Sequence, residues 1–174
     1  MYYSRFEKML NKDLAHENEY SNIIFLCIGT SKLIGDSIGP HVGDKLKIIE
    51  NDYIKVYGTT ENNVDFLNSK YVIEKIYKKY NNPYIITIDA ALSNIYKKGD
   101  IVTGNGYIKL GKALEKNICF YSNINIKCIM GKYYIDKEKN LKELKAVKIE
   151  EVSKMAEIIY KKIKNILIKF RINV

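Results

Sequence analysis

At 174 residues, 47% hydrophobic and 28% charged, the chain has the composition of one globular domain with room for a proper core, which excludes a disordered or fibrous chain. Its 29 basic against 20 acidic residues give a net charge of +9, but the lysines are spread in short clusters, which reads as a solvated surface rather than a nucleic-acid groove. No apolar run approaches the roughly 18 residues of a membrane span, and the N-terminus lacks the apolar stretch of a signal peptide, so a cytosolic protein is expected.

Residues 1–22 read as a short helix or loose arm, ahead of a single α/β domain over 23–174. Residues 23–28 are a short continuous apolar run bounded by glycine, the mark of a buried strand in a parallel sheet. Gly29 to Gly35 then form a turn, and 37–49 read as a helix. Asp36 or Ser37 fits its N-cap, and Pro40 falls in the first turn, where a missing N–H costs nothing. A second strand is expected at 53–58, and a helix at 64–80 from the spacing of Val64, Leu67, Val72, Ile73, Ile76, Tyr77 and Tyr80.

PYIITIDA, starting at Pro83, is the third strand and central by composition. Residues 99–108 and 117–130 are further strands, the latter a hairpin or a bent strand, and 131–146 read as a lysine-rich connection. A long helix over about 149–170 places Val152, Met155, Ala156, Ile159, Ile163, Ile166, Leu167 and Phe170 on one face. A basic amphipathic helix can lie on a membrane, but packing on the sheet is the expectation. Strands alternating with helices predict a three-layer α/β/α sandwich with a mostly parallel sheet.

Cys27, Cys119 and Cys128 are widely spaced, lie in apolar strand-like contexts and form no CxxC pair, so all three are expected as buried reduced thiols. The first turn is glycine-rich, yet GTSKLIGDSIGP is neither of the common nucleotide-binding patterns, and an acid at that helix start would repel phosphate. Its glycines are better suited to turning the chain sharply and presenting Asp36. No serine or cysteine triad is supported by the residues around either histidine.

Asp36 and Asp89 carry the functional signal. Each follows an apolar strand, and ligands in open α/β sheets bind at the carboxyl ends of strands. Taken alone, Asp36 reads as a helix cap stabilised by the macrodipole. Asp89 is harder to dismiss, because a carboxylate in IITIDAAL is costly unless it is paired, hydrogen-bonded or bound to a cation. Two chemistries suit the pair: one acid activates water while the other, protonated, polarises a carbonyl, or both join a histidine on a divalent metal. Only His16 and His41 are available, neither downstream of Asp89; His41 reads as a solvated helix residue.

At these residues the chain resembles a known family. FLCIGTSKLIGDSIGPHVG, VYGTTENNVDFLN, PYIITIDAAL and VSKMAEII, spanning roughly residues 21–160, resemble in order the conserved blocks of the YyaC family of sporulation proteins, relatives of the spore germination protease. The first block also resembles hydrogenase-maturation endopeptidases, which share that fold. The resemblance places Asp36 and Asp89 on the two acids that the germination protease uses catalytically and the hydrogenase enzymes use for nickel. The histidine completing the nickel site has no counterpart here, so the resemblance implies a metal-free carboxylate dyad without a cofactor. It further implies an endopeptidase, or a catalytically silent binding or regulatory member, in the cytoplasm of a sporulating cell or forespore. Its partner would be a protein or peptide substrate, with Gly29, Thr30, Gly35 and Gly39 shaping the turn and offering N–H groups to the scissile carbonyl; a homo-oligomer is left open. The chain departs from the family pattern at Ser31, Asp65 and Ala91, where an acid, a histidine and a cysteine are expected.

Overall fold

In the computed structural model, which describes residues 8, 9, 12, 20–110, 118–169 and 172, one sheet holds β1 (Ile23–Cys27), β2 (Ile54–Tyr57), β3 (Tyr84–Leu92), β4 (Ile101–Leu110) and β5 (Ile118–Gly131) in the order β2-β1-β3-β5-β4. Every pairing is parallel except that of β4 with β5, so the expected mostly parallel sheet is present with an antiparallel edge. The helices are α1 (Ile38–Leu46), α2 (Ser69–Lys79), α3 (Lys137–Lys145) and α4 (Ile149–Lys169).

The apolar runs are explained by burial on both faces. Phe25, Cys27, Ile86, Ile88, Ile124 and Ile126 pack under α1 and α4, while Ile24, Leu26 and Ile85 pack under Ile73 and Ile76 of α2. Val152, Met155, Ala156, Ile159, Ile163, Ile166 and Leu167 are the buried face of α4, so that helix is sheet-packed. Full burial of each larger side chain among them is worth roughly 1.5–3 kcal/mol. Phe170 and most of the expected N-terminal arm lie outside the described residues.

Beyond β3 the sheet changes character. Along β5, Ile124, Ile126 and Cys128 are buried, while Asn125 is half-buried and Lys127 exposed. Along β4, Ile101 and Thr103 are buried but Val102 and Gly104 only half-buried. Around Val102, Gly104, Asn125 and Lys127 the sheet is therefore open to solvent on one face, whereas Ile108 and Phe120 further along are buried.

Several expectations shift. The helix expected from residue 64 starts at Ser69, because Val64 is used in a bridge to Ile28 and Asp65 and Asn68 build the helix entry. Asp65 Oδ1 accepts from the N–H of Leu67 at 2.8 Å, and Asn68 Oδ1 accepts from the N–H of Asp65 at 3.0 Å. Residues 117–130 supply one long strand rather than a hairpin, its pairing with β4 shifting between Gly104 and Gly106. The expected connection at 131–146 contains α3, whose start is capped by Asp136 and which buries no residue. Cys119 is exposed rather than buried, since it lies where β5 pairs with β4 alone; Cys27 and Cys128 are buried free thiols.

Candidate active site

The site is built where β1 stops. The N–H of Ile28 donates to the Ile88 carbonyl at 2.8 Å, and that of Gly29 to the Val64 carbonyl at 2.9 Å, so the chain leaves the sheet between β3 and the segment after β2. Gly29 has φ +145, and a Cβ there would stand 2.0 Å from the Asp36 carbonyl oxygen. Glycine at 29 thus lets the turn fold back onto its own start. The turn closes with the N–H of Thr30 donating to Asp36 Oδ2 at 3.0 Å.

Asp36 does not cap α1. It ends a short 3-10 turn, Ile34–Asp36, and Ser37 flanks the helix, where no side chain caps the N-terminus. The Ser37 hydroxyl instead donates to the Ile34 carbonyl at 2.7 Å. The Asp36 carboxylate is therefore spent on the turn, and its other oxygen is not committed to the helix.

Asp89 comes one residue after the last pairing of β3 with β1, Cys27 with Ile88, and its partner on β5 is Lys127. Burial pushes the Asp89 carboxyl up to about 7; the Asp36 charge adds to this, and the Ala90 N–H and Lys127 work against it. Burial likewise pushes Asp36 up to about 6, opposed by the Thr30 N–H and assisted by the charge of Asp65. The repulsion between the two charges appears at Asp89, the group raised further. The charge of Asp36 is thus felt at Asp89, and both carboxyls stand above the ordinary carboxylate range.

Burial also raises the Cys27 and Cys128 thiols, with Asp44 adding to the effect on Cys27 and Asp89 on Cys128. Both stay protonated at neutral pH, which removes them as nucleophiles. His41 points elsewhere, its Nδ1 2.9 Å from the Ser37 carbonyl oxygen. Among the described residues no three His, Cys, Asp or Glu side chains are gathered to hold a metal ion.

The remaining residues of the expected site lie around the turn. The N–H groups of Gly29 and Thr30 are already engaged by Val64 and Asp36. At Gly39 a Cβ would come 2.1 Å from the Ile28 carbonyl oxygen, and at Gly35 one would come 2.6 Å from that of Leu144, so both positions hold close backbone contacts. Asn63 Nδ2 donates to Thr30 Oγ1 at 3.4 Å. Asn63 and Lys127 were not singled out by sequence reasoning. The alternation of Ile124, Ile126 and Cys128 with Asn125 and Lys127 was the available signal for Lys127. Leu67, Ile95 and Ile135, at 86%, 87% and 95% exposure, stand in the segments after β2, β3 and β5, at the same end of the sheet as the acids.

Comparison with known proteins fits this architecture. An uncharacterized protein of Bacillus subtilis (strain 168), YyaC, is 36% identical over 109 residues, 63% of this chain and 53% of that protein, so the chain spans about half the length of this curated relative. The fold is similar to that of the nickel–iron hydrogenase maturation protease HycI from Thermococcus kodakarensis KOD1, with a TM-score of 0.53 and 17% identity over 92% of this chain and 99% of that one. A second such protease from Thermococcus kodakarensis, HybD, aligns with a TM-score of 0.42 over 80% of this chain and 97% of that one. At 17% identity the likeness to HycI is one of fold. Residues 1–162 match the family described as protein of unknown function DUF1256, and the chain belongs to that family.

Proposed function

We propose that the protein is an endopeptidase of sporulating cells that hydrolyses a peptide bond of another protein through Asp36 and Asp89. The observation that carries this reading is the coupling of the two carboxyls across the ends of β1 and β3, with both held above the usual carboxylate range. A carboxylate pair sharing one proton at near-neutral pH has a general base and a general acid in one place. The sporulation setting rests on the resemblance of the sequence blocks to the YyaC family of sporulation proteins, and the exposed aliphatic side chains of Leu67, Ile95 and Ile135 at the same end of the sheet suit a peptide partner.

In the proposed reaction, ionised Asp36 takes a proton from water as the water oxygen bonds to the scissile carbonyl carbon. Protonated Asp89 gives its proton to the carbonyl oxygen, producing a neutral tetrahedral diol. Collapse breaks the C–N bond: Asp36 passes its proton to the leaving nitrogen, and a diol hydroxyl returns one to Asp89. The products are a carboxylic acid and an amine, and the dyad regains its starting state. Turnover consumes one water and needs no other reactant.

The test is to incubate the purified protein with an extract of sporulating cells and map new protein N-termini by mass spectrometry. Wild type is expected to generate defined cleavages that vanish in Asp36→Asn and Asp89→Asn. Cleavage retained in both variants would exclude the dyad. A second reading, a silent member that binds a partner, is favoured by Ser31, Asp65 and Ala91, where the family pattern has other residues. Absence of any cleavage by wild type would select it.

A further inference from the structure

Lys127 stands opposite Asp89 in the register of β3 with β5, so the two side chains leave the same face of the sheet. That face is open there: Asn125 and Val102 are half-buried and Lys127 itself is exposed, whereas their sequence neighbours Ile124, Ile126 and Ile101 are buried. The salt bridges among the described residues use Lys45, Lys47, Lys98 and Lys161, and none of them engages Lys127. An ammonium without a salt-bridge partner therefore lies one strand from the acid pair, on a surface that a bound chain can cover.

We infer that Lys127 selects the substrate by taking a peptide carboxylate, an Asp or Glu side chain or the C-terminal carboxylate, close to the scissile bond. The inference rests on the peptidase reading of Asp36 and Asp89 and names the substrate class of that same site. Spacing sets the position. Adjacent strands lie roughly 4.8 Å apart and an extended chain advances about 3.3 Å per residue. The recognised carboxylate thus falls within about two residues of the bond that is cut. Asn125, which pairs with Thr87 on the same face, is uncharged, so Lys127 brings the positive charge to this part of β5.

Two measurements with one set of proteins test this. In the first, a mixed undecapeptide library is digested by wild type, Lys127→Glu and Lys75→Glu, the last changing the net charge equally on the exposed face of α2. Wild type and Lys75→Glu are expected to favour acidic over amide residues next to the cut by roughly fivefold, the scale of an exposed ion pair. Lys127→Glu is expected to lose or reverse that preference among the peptides it cuts, whatever its overall rate. In the second, immobilised Asp36→Asn protein, with and without Lys127→Glu or Lys75→Glu, retains Asp/Glu-containing undecapeptides in competition with their Asn/Gln counterparts. Selective loss of acidic-peptide retention in the Lys127→Glu protein supports the inference even if wild type cuts nothing, in which case only the peptidase reading falls. Equal behaviour of the Lys127→Glu and Lys75→Glu proteins in both measurements overturns it, since the preference would then follow net charge.

Discussion

The backbone N–H of Thr30 donates to Oδ2 of Asp36 at 3.0 Å, tying the end of β1 to the acid that follows it. A bond to the ionised form of a carboxylate favours ionisation, and here it works against burial, which raises the same group. At Asp89 the Ala90 N–H and Lys127 oppose burial, but the Asp36 charge adds to it, and the carboxyl is raised further, to about 7. The pair is thus asymmetric by construction. In the proposed mechanism the Thr30 contact suits Asp36 to the role of base, and burial at the end of β3 suits Asp89 to that of acid.

That asymmetry predicts a narrow, bell-shaped pH dependence for peptide cleavage. With Asp36 raised to about 6 and Asp89 to about 7, the singly protonated pair is most populated between those values. kcat/KM against a peptide identified from the extract is expected to peak there and to fall on both sides. Loss on the acid side reports protonation of the base, and loss on the alkaline side reports ionisation of the acid. A rate still rising at pH 9 would rule out a protonated Asp89 as the general acid.

The same shifts carry a stability cost with a definite sign. Each carboxyl binds its proton more tightly folded than unfolded, its ordinary value being 3.8. Between that value and about 7 the native state holds more protons than the unfolded state, so stability falls as pH rises through the window. Below pH 3.8 the penalty is absent. Asp89→Asn is therefore expected to raise the unfolding free energy at pH 7.5 by about 1–2 kcal/mol, after allowance for partial solvent screening, and to change it little at pH 4.5. Urea unfolding at the two pH values measures this. A variant less stable than wild type at pH 7.5 would show that the Asp89 carboxylate is structural, not strained.

Much of this arrangement was legible in the sequence because a strand buried on both faces has few alternatives. Ile23–Cys27 and the run ending at Asp89 announce themselves by continuous apolar character followed by one acid. The fate of Asp36 was not legible: capping and turn closure use the same residue type at the same place, and only the distance to Thr30 separates them. Helix α3 escaped because periodicity detects burial and this helix buries nothing; its signal was the Asp136 cap, which accepts from the N–H of Glu138 at 2.8 Å. Lys127 escaped because its meaning lies in register with Asp89, a relation between strands distant in sequence.

Thr103 is buried at 6% exposure, and its hydroxyl oxygen has no hydrogen-bond partner among the described residues. An unsatisfied buried hydroxyl costs roughly 1–3 kcal/mol, and valine matches threonine in shape while removing the polar atom. Thr103→Val is expected to stabilise the protein by about 1 kcal/mol, read as a higher urea midpoint with unchanged slope. A destabilised variant would mean that the hydroxyl is satisfied in solution.

Gly39 separates a packing role from a substrate-binding one. Alanine at this position improves helix propensity by up to about 1 kcal/mol, and it leaves the backbone N–H in place. Its Cβ, however, would meet the Ile28 carbonyl oxygen at 2.1 Å, and that carbonyl belongs to the chain leaving β1, which has little freedom to retreat. Overpacking against backbone costs roughly 1–3 kcal/mol or more, so the clash outweighs the propensity gain. Gly39→Ala is expected to lose about 2 kcal/mol of stability and, by pushing α1 away from β1, to disturb the turn that holds Asp36. Thermal unfolding and peptide cleavage on the same preparation decide the matter. Stability preserved with cleavage lost would return Gly39 to the substrate; stability lost first makes it the contact that seats α1 on the strand.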